Sequence, residues 1–261
     1  MTDSLSAAEC ALYAILFIPV AFLVVRHGIH GLLGWLFLAV FCTLRIIGAG
    51  MAIKDSSPAA SIISNVGLSP ILLAVAGILH EARTYRIHKV EQKQEWAFAI
   101  AYHIPVVVGV AITAVGSSKL QHHEQPIEKS EKLVKAGLAI LAVCWGILVA
   151  WTAISFKAPK ARNADRANAG TVLLGSNVPA LVLIGVRVFY SVVALSTQKS
   201  YLNPTTGTLP IRVILGFLPE LIATIIYVAA GLKTQGVAKL LHLDNRGDES
   251  LVYKFHAVPT A

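Results

Sequence analysis

The sequence predicts an all-α polytopic membrane protein with seven transmembrane helices, N-terminus out and C-terminus in, and three observations carry that prediction. Composition is the first: 56% of the 261 residues are hydrophobic and 14% charged, against roughly 45 to 50% and 25% in ordinary soluble domains. The second is run length. A hydrocarbon core ~30 Å thick needs about 20 residues of helix, and seven stretches fit: 10–26, 32–53, 57–82, 96–119, 133–156, 169–197 and 211–232. The third is charge asymmetry between the connections. With the N-terminus outside, thirteen Lys and Arg fall on the cytosolic side and seven on the other, the bias expected of the positive-inside rule.

Each element follows in order. Residues 1–9 carry Asp3 and Glu9 but no Lys or Arg. A signal peptide needs a basic n-region and a small-residue cleavage site, so 10–26 is expected as a retained helix behind a short extracytosolic N-terminus. His27 to Gly31 turn the chain into span two, which carries Arg45. Lys54 to Pro58 lead into span three, with Pro58 suited to a first helical turn, and this span holds Asn65 and, near its inner end, Glu81. Spans four and five flank the longest outer loop, and span five holds Trp145. Span six holds Arg187 and Tyr190, and span seven holds Glu220, Thr224 and Tyr227. Residues 10–235 thus read as one seven-helix domain and 236–261 as a polar cytosolic tail. Proline falls inside five spans, at Pro19, Pro70, Pro105, Pro179 and Pro219, where each removes a backbone donor.

Arg45, Arg187 and Glu220 are the most informative residues. An ionisable group in mid-membrane costs roughly 2.5 to 3.5 kcal/mol on insertion scales, so it is paired, water-facing or functional. At a rise of about 1.5 Å per residue, Arg45 lies roughly 4 Å, Arg187 roughly 6 Å and Glu220 roughly 2 Å to the outer side of the span midpoints. Asn65, Trp145 and Tyr190 fall near the same layer, and Thr224 and Tyr227 continue the face of Glu220 at i+4 and i+7. Two cations against one anion leave a positive charge seeking an anionic partner. Glu81 is too near the inner end to supply it. Beside both arginines Glu220 is a counter-ion; beside neither it is a candidate general acid. Trp35, Trp145, Trp151, Phe189 and Tyr190 either pack the helices or shield a cation.

Several classes are excluded. The net charge of +8 is accounted for by the topology bias and by attraction to anionic headgroups, so nucleic acid is not expected as a partner. Cys10, Cys42 and Cys144 have no paired spacing, which argues against a disulfide framework or zinc motif. The histidines lack a repeated box; His27 and its neighbours are expected in solvated loops, and neither a metal nor a cofactor is expected. Span seven has no lysine for a retinal Schiff base, and no internal repeat suggests an inverted-repeat transporter.

The segments His27-Gly28 with Gly34-Trp35, Leu44-Arg45-Ile46-Ile47-Gly48, Gly77-Ile78-Leu79-His80-Glu81-Ala82-Arg83, Gly185-Val186-Arg187 with Tyr190, and Leu218-Pro219-Glu220 resemble an uncharacterised family of fungal seven-helix integral membrane proteins. In size and helix number the chain is also similar to fungal membrane-bound meroterpenoid cyclases, whose intramembrane carboxylates protonate a polyene or epoxide. That resemblance implies a metal-independent terpenoid-type cyclase or isomerase. Glu220 would then be proton donor or base, Arg45 and Arg187 would orient an oxygen-rich head, and Asn65, Trp145, Tyr190, Thr224 and Tyr227 would line the substrate site. The alternative is a non-enzymatic receptor-like or lipid-handling protein. Both readings expect a lipophilic partner with an anionic or oxygen-rich head, among membrane lipids, in the endoplasmic reticulum or plasma membrane.

Overall fold

The computed structural model describes residues 3–54, 68–87, 92–121, 126–197, 199–203 and 207–237. The long elements are helices: α1 Asp3–Arg26, α2 Gly28–Lys54, α3 Leu68–Arg86, α4 Gln92–Gln121, α5 Ile127–Lys157 and α6 Ala164–Thr197, and α7 Leu209–Thr234. No strand occurs among the described residues. Six of the helices, all but α3, are long and apolar enough to cross a membrane. Residues 57–67 of the expected third span lie outside the described residues, and the described part of that span is the centre of the bundle. Seventeen of the residues of α3 are buried, because α2, α4, α5 and α6 all pack around it. A helix enclosed by others can carry His80 and Glu81 where a lipid-facing one cannot.

Large apolar side chains are instead exposed on the outer helices, among them Ile18, Val25, Ile104, Val143, Val182 and Ile225. A helix apolar on every face fits neighbours on one side and hydrocarbon on the other. The inward side is written in small residues, which let backbones approach closely. A Cβ on Gly34 of α2 would sit 2.6 Å from the backbone nitrogen of Ile78 in α3. A Cβ on Gly170 of α6 would sit 2.5 Å from the backbone nitrogen of Arg86.

One residue, His27, separates α1 from α2, and the reversal is completed by Gly28 at φ +62°, a conformation glycine adopts without a Cβ penalty. This hairpin and its neighbours fix two ends of the bundle. The starts of α1 and α7 and the ends of α2 and α6 share one end; the α1–α2 turn and the ends of α3, α5 and α7 share the other. At that second end Arg86 donates to the carbonyls of Ser155 (2.5 Å), Phe156 (3.0 Å) and Ala158 (3.3 Å), closing the C-terminus of α5 with a cation. Arg83 joins both oxygens of Glu95 and stacks over Trp151.

α7 departs from regular geometry just before its key carboxylate. Arg212–Phe217 is a π-helical stretch, with Leu218 N–H bonded to the Val213 carbonyl five residues back. Pro219 follows and has no N–H to give, so the α-helical ladder cannot close there, and an extra residue is accommodated in the turn.

Candidate anion cavity

α1, α2, α6 and α7 converge at the first end of the bundle on Glu220. This carboxylate is fully buried, and Arg45 and Arg187 beside it are 7% and 2% exposed. Arg45 donates an Nη2 hydrogen bond to Glu220 Oε2, and Arg187 donates from Nε to Oε1 at 3.0 Å. Arg187 also donates to the Ser191 hydroxyl one turn on. Each guanidinium lies against an aromatic face, Arg45 over Phe41 at 5.5 Å and Arg187 over Tyr190 at 5.7 Å. Both oxygens of Glu220 therefore accept from cations, the pattern of a counter-ion.

A cavity of about 70 Å³ opens beside this triad. Its charged and hydroxyl lining comprises Glu9 and Ser6 of α1, Arg45 of α2, Arg187 and Tyr190 of α6, and Arg212 of α7; Leu5, Leu44, Ala49 and Phe217 supply apolar wall. The π-helical stretch has a direct part in this. It brings Arg212, Gly216 and Phe217 onto the cavity, while Glu220, past the stretch, faces the two arginines. Glu9 was expected in a short N-terminal segment before the first span. In the structure α1 begins at Asp3, so Leu5, Ser6, Glu9 and Tyr13 share one helical face at i, i+1, i+4 and i+8. Glu9 lies within electrostatic reach of Arg45, Glu220, Arg212 and Arg187, and so provides a second carboxylate that the sequence reading did not count.

Among the described residues, three buried polar atoms at or near the site have no hydrogen-bond partner: Arg45 Nε and Tyr190 Oη on the cavity lining, and Tyr13 Oη behind it. Their residues are at least nine-tenths buried. Buried donors are normally satisfied, and each orphan costs about 1 to 3 kcal/mol. Two of the three belong to residues that line the cavity.

The other expected site residues divide. Tyr190 lines the cavity. Thr224 donates to the Glu220 backbone carbonyl at 2.8 Å and Tyr227 donates to Asn177 Oδ1 at 2.8 Å. Both continue the inner face of α7 away from the cavity, so they support the helix that carries Glu220 without lining the site. Trp145 is not brought to it. Its indole N–H donates to the Leu181 carbonyl at 2.8 Å and its ring lies against Gly185 and Phe189, clamping α5 to α6. Asn65 lies outside the described residues.

A second buried carboxylate occupies the opposite end. Glu81 Oε1 meets His27 Nδ1 at 2.5 Å, and Glu81 Oε2 accepts the Trp35 indole N–H at 2.8 Å. His27 Nε2 is 3.0 Å from the Gly231 carbonyl; a carbonyl only accepts, so Nε2 carries the proton. His27 was expected in a solvated loop, but it is 1% exposed. The turn is only one residue long, so its side chain is directed between helices rather than out to solvent.

These features define a class: a helical bundle with at least six membrane-length helices and a buried arginine–carboxylate site open to a polar cavity at one end. The chain belongs to a family known by the description of its shared region, a domain of unknown function, DUF7702, which it matches over residues 1–237. That match ends where the described residues end, and it covers both carboxylate clusters. Neither a curated protein nor a solved structure matches the chain.

Proposed function

We propose that this protein is a non-enzymatic, lipid-handling membrane protein that captures the anionic head of an amphiphile in the cavity beside Glu220. One observation carries the reading: Arg45, Arg187 and Arg212 converge on a small cavity whose unsatisfied groups include Arg45 Nε and Tyr190 Oη. Guanidinium groups recognise carboxylate and phosphate oxygens through forked donors. The apolar walls at Leu5, Leu44, Ala49 and Phe217 favour a ligand whose head is followed by hydrocarbon. With the N-terminus outside, the cavity belongs to the outer half of a seven-helix bundle, at the depth where a headgroup meets its chains.

The cyclase or isomerase reading asks Glu220 to give or take a proton during the reaction. Its two oxygens already serve two arginines, which suits a counter-ion rather than a proton donor. The test uses the full chain purified in mild detergent and offered a mixture of anionic and zwitterionic lipids, with retained lipid identified by mass spectrometry. Selective retention of anionic lipid is expected, and Arg212→Gln, which leaves the Glu220 triad in place, is expected to reduce it about tenfold. Equal retention of zwitterionic lipid, unchanged by R212Q, overturns the proposal.

A further inference from the structure

We infer that Ser191 is a positioning residue of the cavity: it holds the Arg187 guanidinium in an orientation that serves Glu220 and the cavity together. The inference rests on the lipid-handling reading and deepens it by one residue. Helical spacing places Tyr190 and Ser191 of α6 beside Arg187, at i+3 and i+4. The Arg187 side chain meets both: Nη1 donates to the Ser191 hydroxyl, and the guanidinium lies 5.7 Å from the centre of the Tyr190 ring. Ser191 is itself buried, and its hydroxyl donates to the Arg187 backbone carbonyl at 3.1 Å. A hydroxyl has one hydrogen to give. With that hydrogen committed to the backbone, the oxygen is left to accept, and what it accepts from is the guanidinium.

Arg187 is thereby held on three sides. Glu220 takes Nε at 3.0 Å, Ser191 takes Nη1, and Tyr190 covers a face. A planar guanidinium bonded through two of its nitrogens cannot rotate without giving up one bond. The third nitrogen, Nη2, is what remains for the cavity that Arg187 lines. Arg45 is held differently. It is joined to Glu220 and lies over Phe41, but the residue one turn on is Ala49, which has no side-chain acceptor, and Arg45 Nε has no hydrogen-bond partner among the described residues. The two arginines therefore divide the work: Arg187 is the fixed member, and Ser191 is what fixes it.

The experiment uses the full chain in mild detergent and reads retained lipid per folded protein, with phosphatidylglycerol offered against phosphatidylcholine. Ser191→Ala is expected to lower phosphatidylglycerol retention about threefold and leave phosphatidylcholine unchanged, and Ser191→Thr, which keeps the hydroxyl, is expected to restore it. Arg187→Lys keeps a cation for Glu220 but lacks the planar fork. Adding S191A to it is expected to lower retention no further, because Ser191 acts through the guanidinium. A purely structural role would lower the yield of folded protein and leave the ratio of the two lipids alone. Wild-type retention by S191A, no recovery in S191T, or the same threefold loss in the R187K background each overturns the role of Ser191 and leaves the lipid-handling reading standing. Inorganic phosphate separates the two. If wild type does not discriminate between the lipids, yet phosphate raises its unfolding temperature and raises that of S191A less, the role of Ser191 stands and the lipid function falls. If phosphate acts equally on wild type and S191A, or on neither, both fall.

Discussion

Two carboxylates are completely buried at opposite ends of the bundle, and their surroundings differ: one is enclosed by the chain and the other stands beside a cavity. Glu81 is closed off: His27 takes one oxygen, Trp35 the other, and a Cβ on Gly31 would sit 2.7 Å from Oε2. Every contact comes from the chain itself, joining the α1–α2 turn, α2, α3 and, through the Gly231 carbonyl, α7. Glu220 is equally buried, yet its two arginines also face a cavity, and donors beside it are left over. The comparison teaches that burial of a charge inside a helical bundle does not by itself mark a ligand site; the proposal made for Glu220 rests instead on the cavity beside it and on donors there that no described residue uses.

The contrast can be broken most forcefully at the closed end. Glu81→Ala leaves His27 and Trp35 without their partner, and a loss of about 3 to 5 kcal/mol is expected, read as a lower unfolding temperature in detergent that added anions do not restore. Glu220→Gln leaves Arg45 and Arg187 facing each other with one neutral acceptor. It is expected to destabilise by about 3 kcal/mol, but here anionic lipid is expected to recover part of the loss because the cavity admits it. Equal rescue at both sites, or at neither, would erase the distinction. Gly34→Val drives a side chain into the α3 backbone at Ile78 and is expected to cost about 1 to 3 kcal/mol without changing the lipid selectivity of whatever protein folds. Trp35→Phe removes one bond to Glu81 and is expected to cost about 1 kcal/mol. Tyr190→Phe sits at the small end of the scale: its hydroxyl has no hydrogen-bond partner among the described residues, so thermal stability is expected to hold while anionic-lipid retention falls severalfold.

Much of the membrane architecture was legible because apolar runs announce their own length, and a charge inside such a run stands out. Arg45, Arg187 and Glu220 were found that way, and their shared depth followed from counting residues. Glu9 and Arg212 were not found. They lie at the margins of apolar runs, where a charge is also what any helix end displays, and only the extension of α1 to Asp3 turns Glu9 inward. Trp145 was assigned by depth alone, and depth does not say which neighbour a helical face meets; its indole meets the α6 backbone at Leu181. The His27–Glu81–Trp35 cluster was visible only as separate residues. Its members come from different helices, and no spacing within one helix signals a bond that forms between three.

The π-helical stretch at Arg212–Phe217 has a further consequence, best expressed as phase. A single surplus residue sets the first part of α7 about 100° out of step with the part that carries Glu220. Arg212 and Glu220 are thus like two marks on one shaft held at a fixed offset. Deleting Leu215 restores an even winding, leaves Glu220 in its triad and turns Arg212 off the cavity. Such a protein should remain folded yet retain anionic lipid as poorly as R212Q, which would make the irregular turn, rather than the arginine alone, the element that times the two ends of the helix to one another.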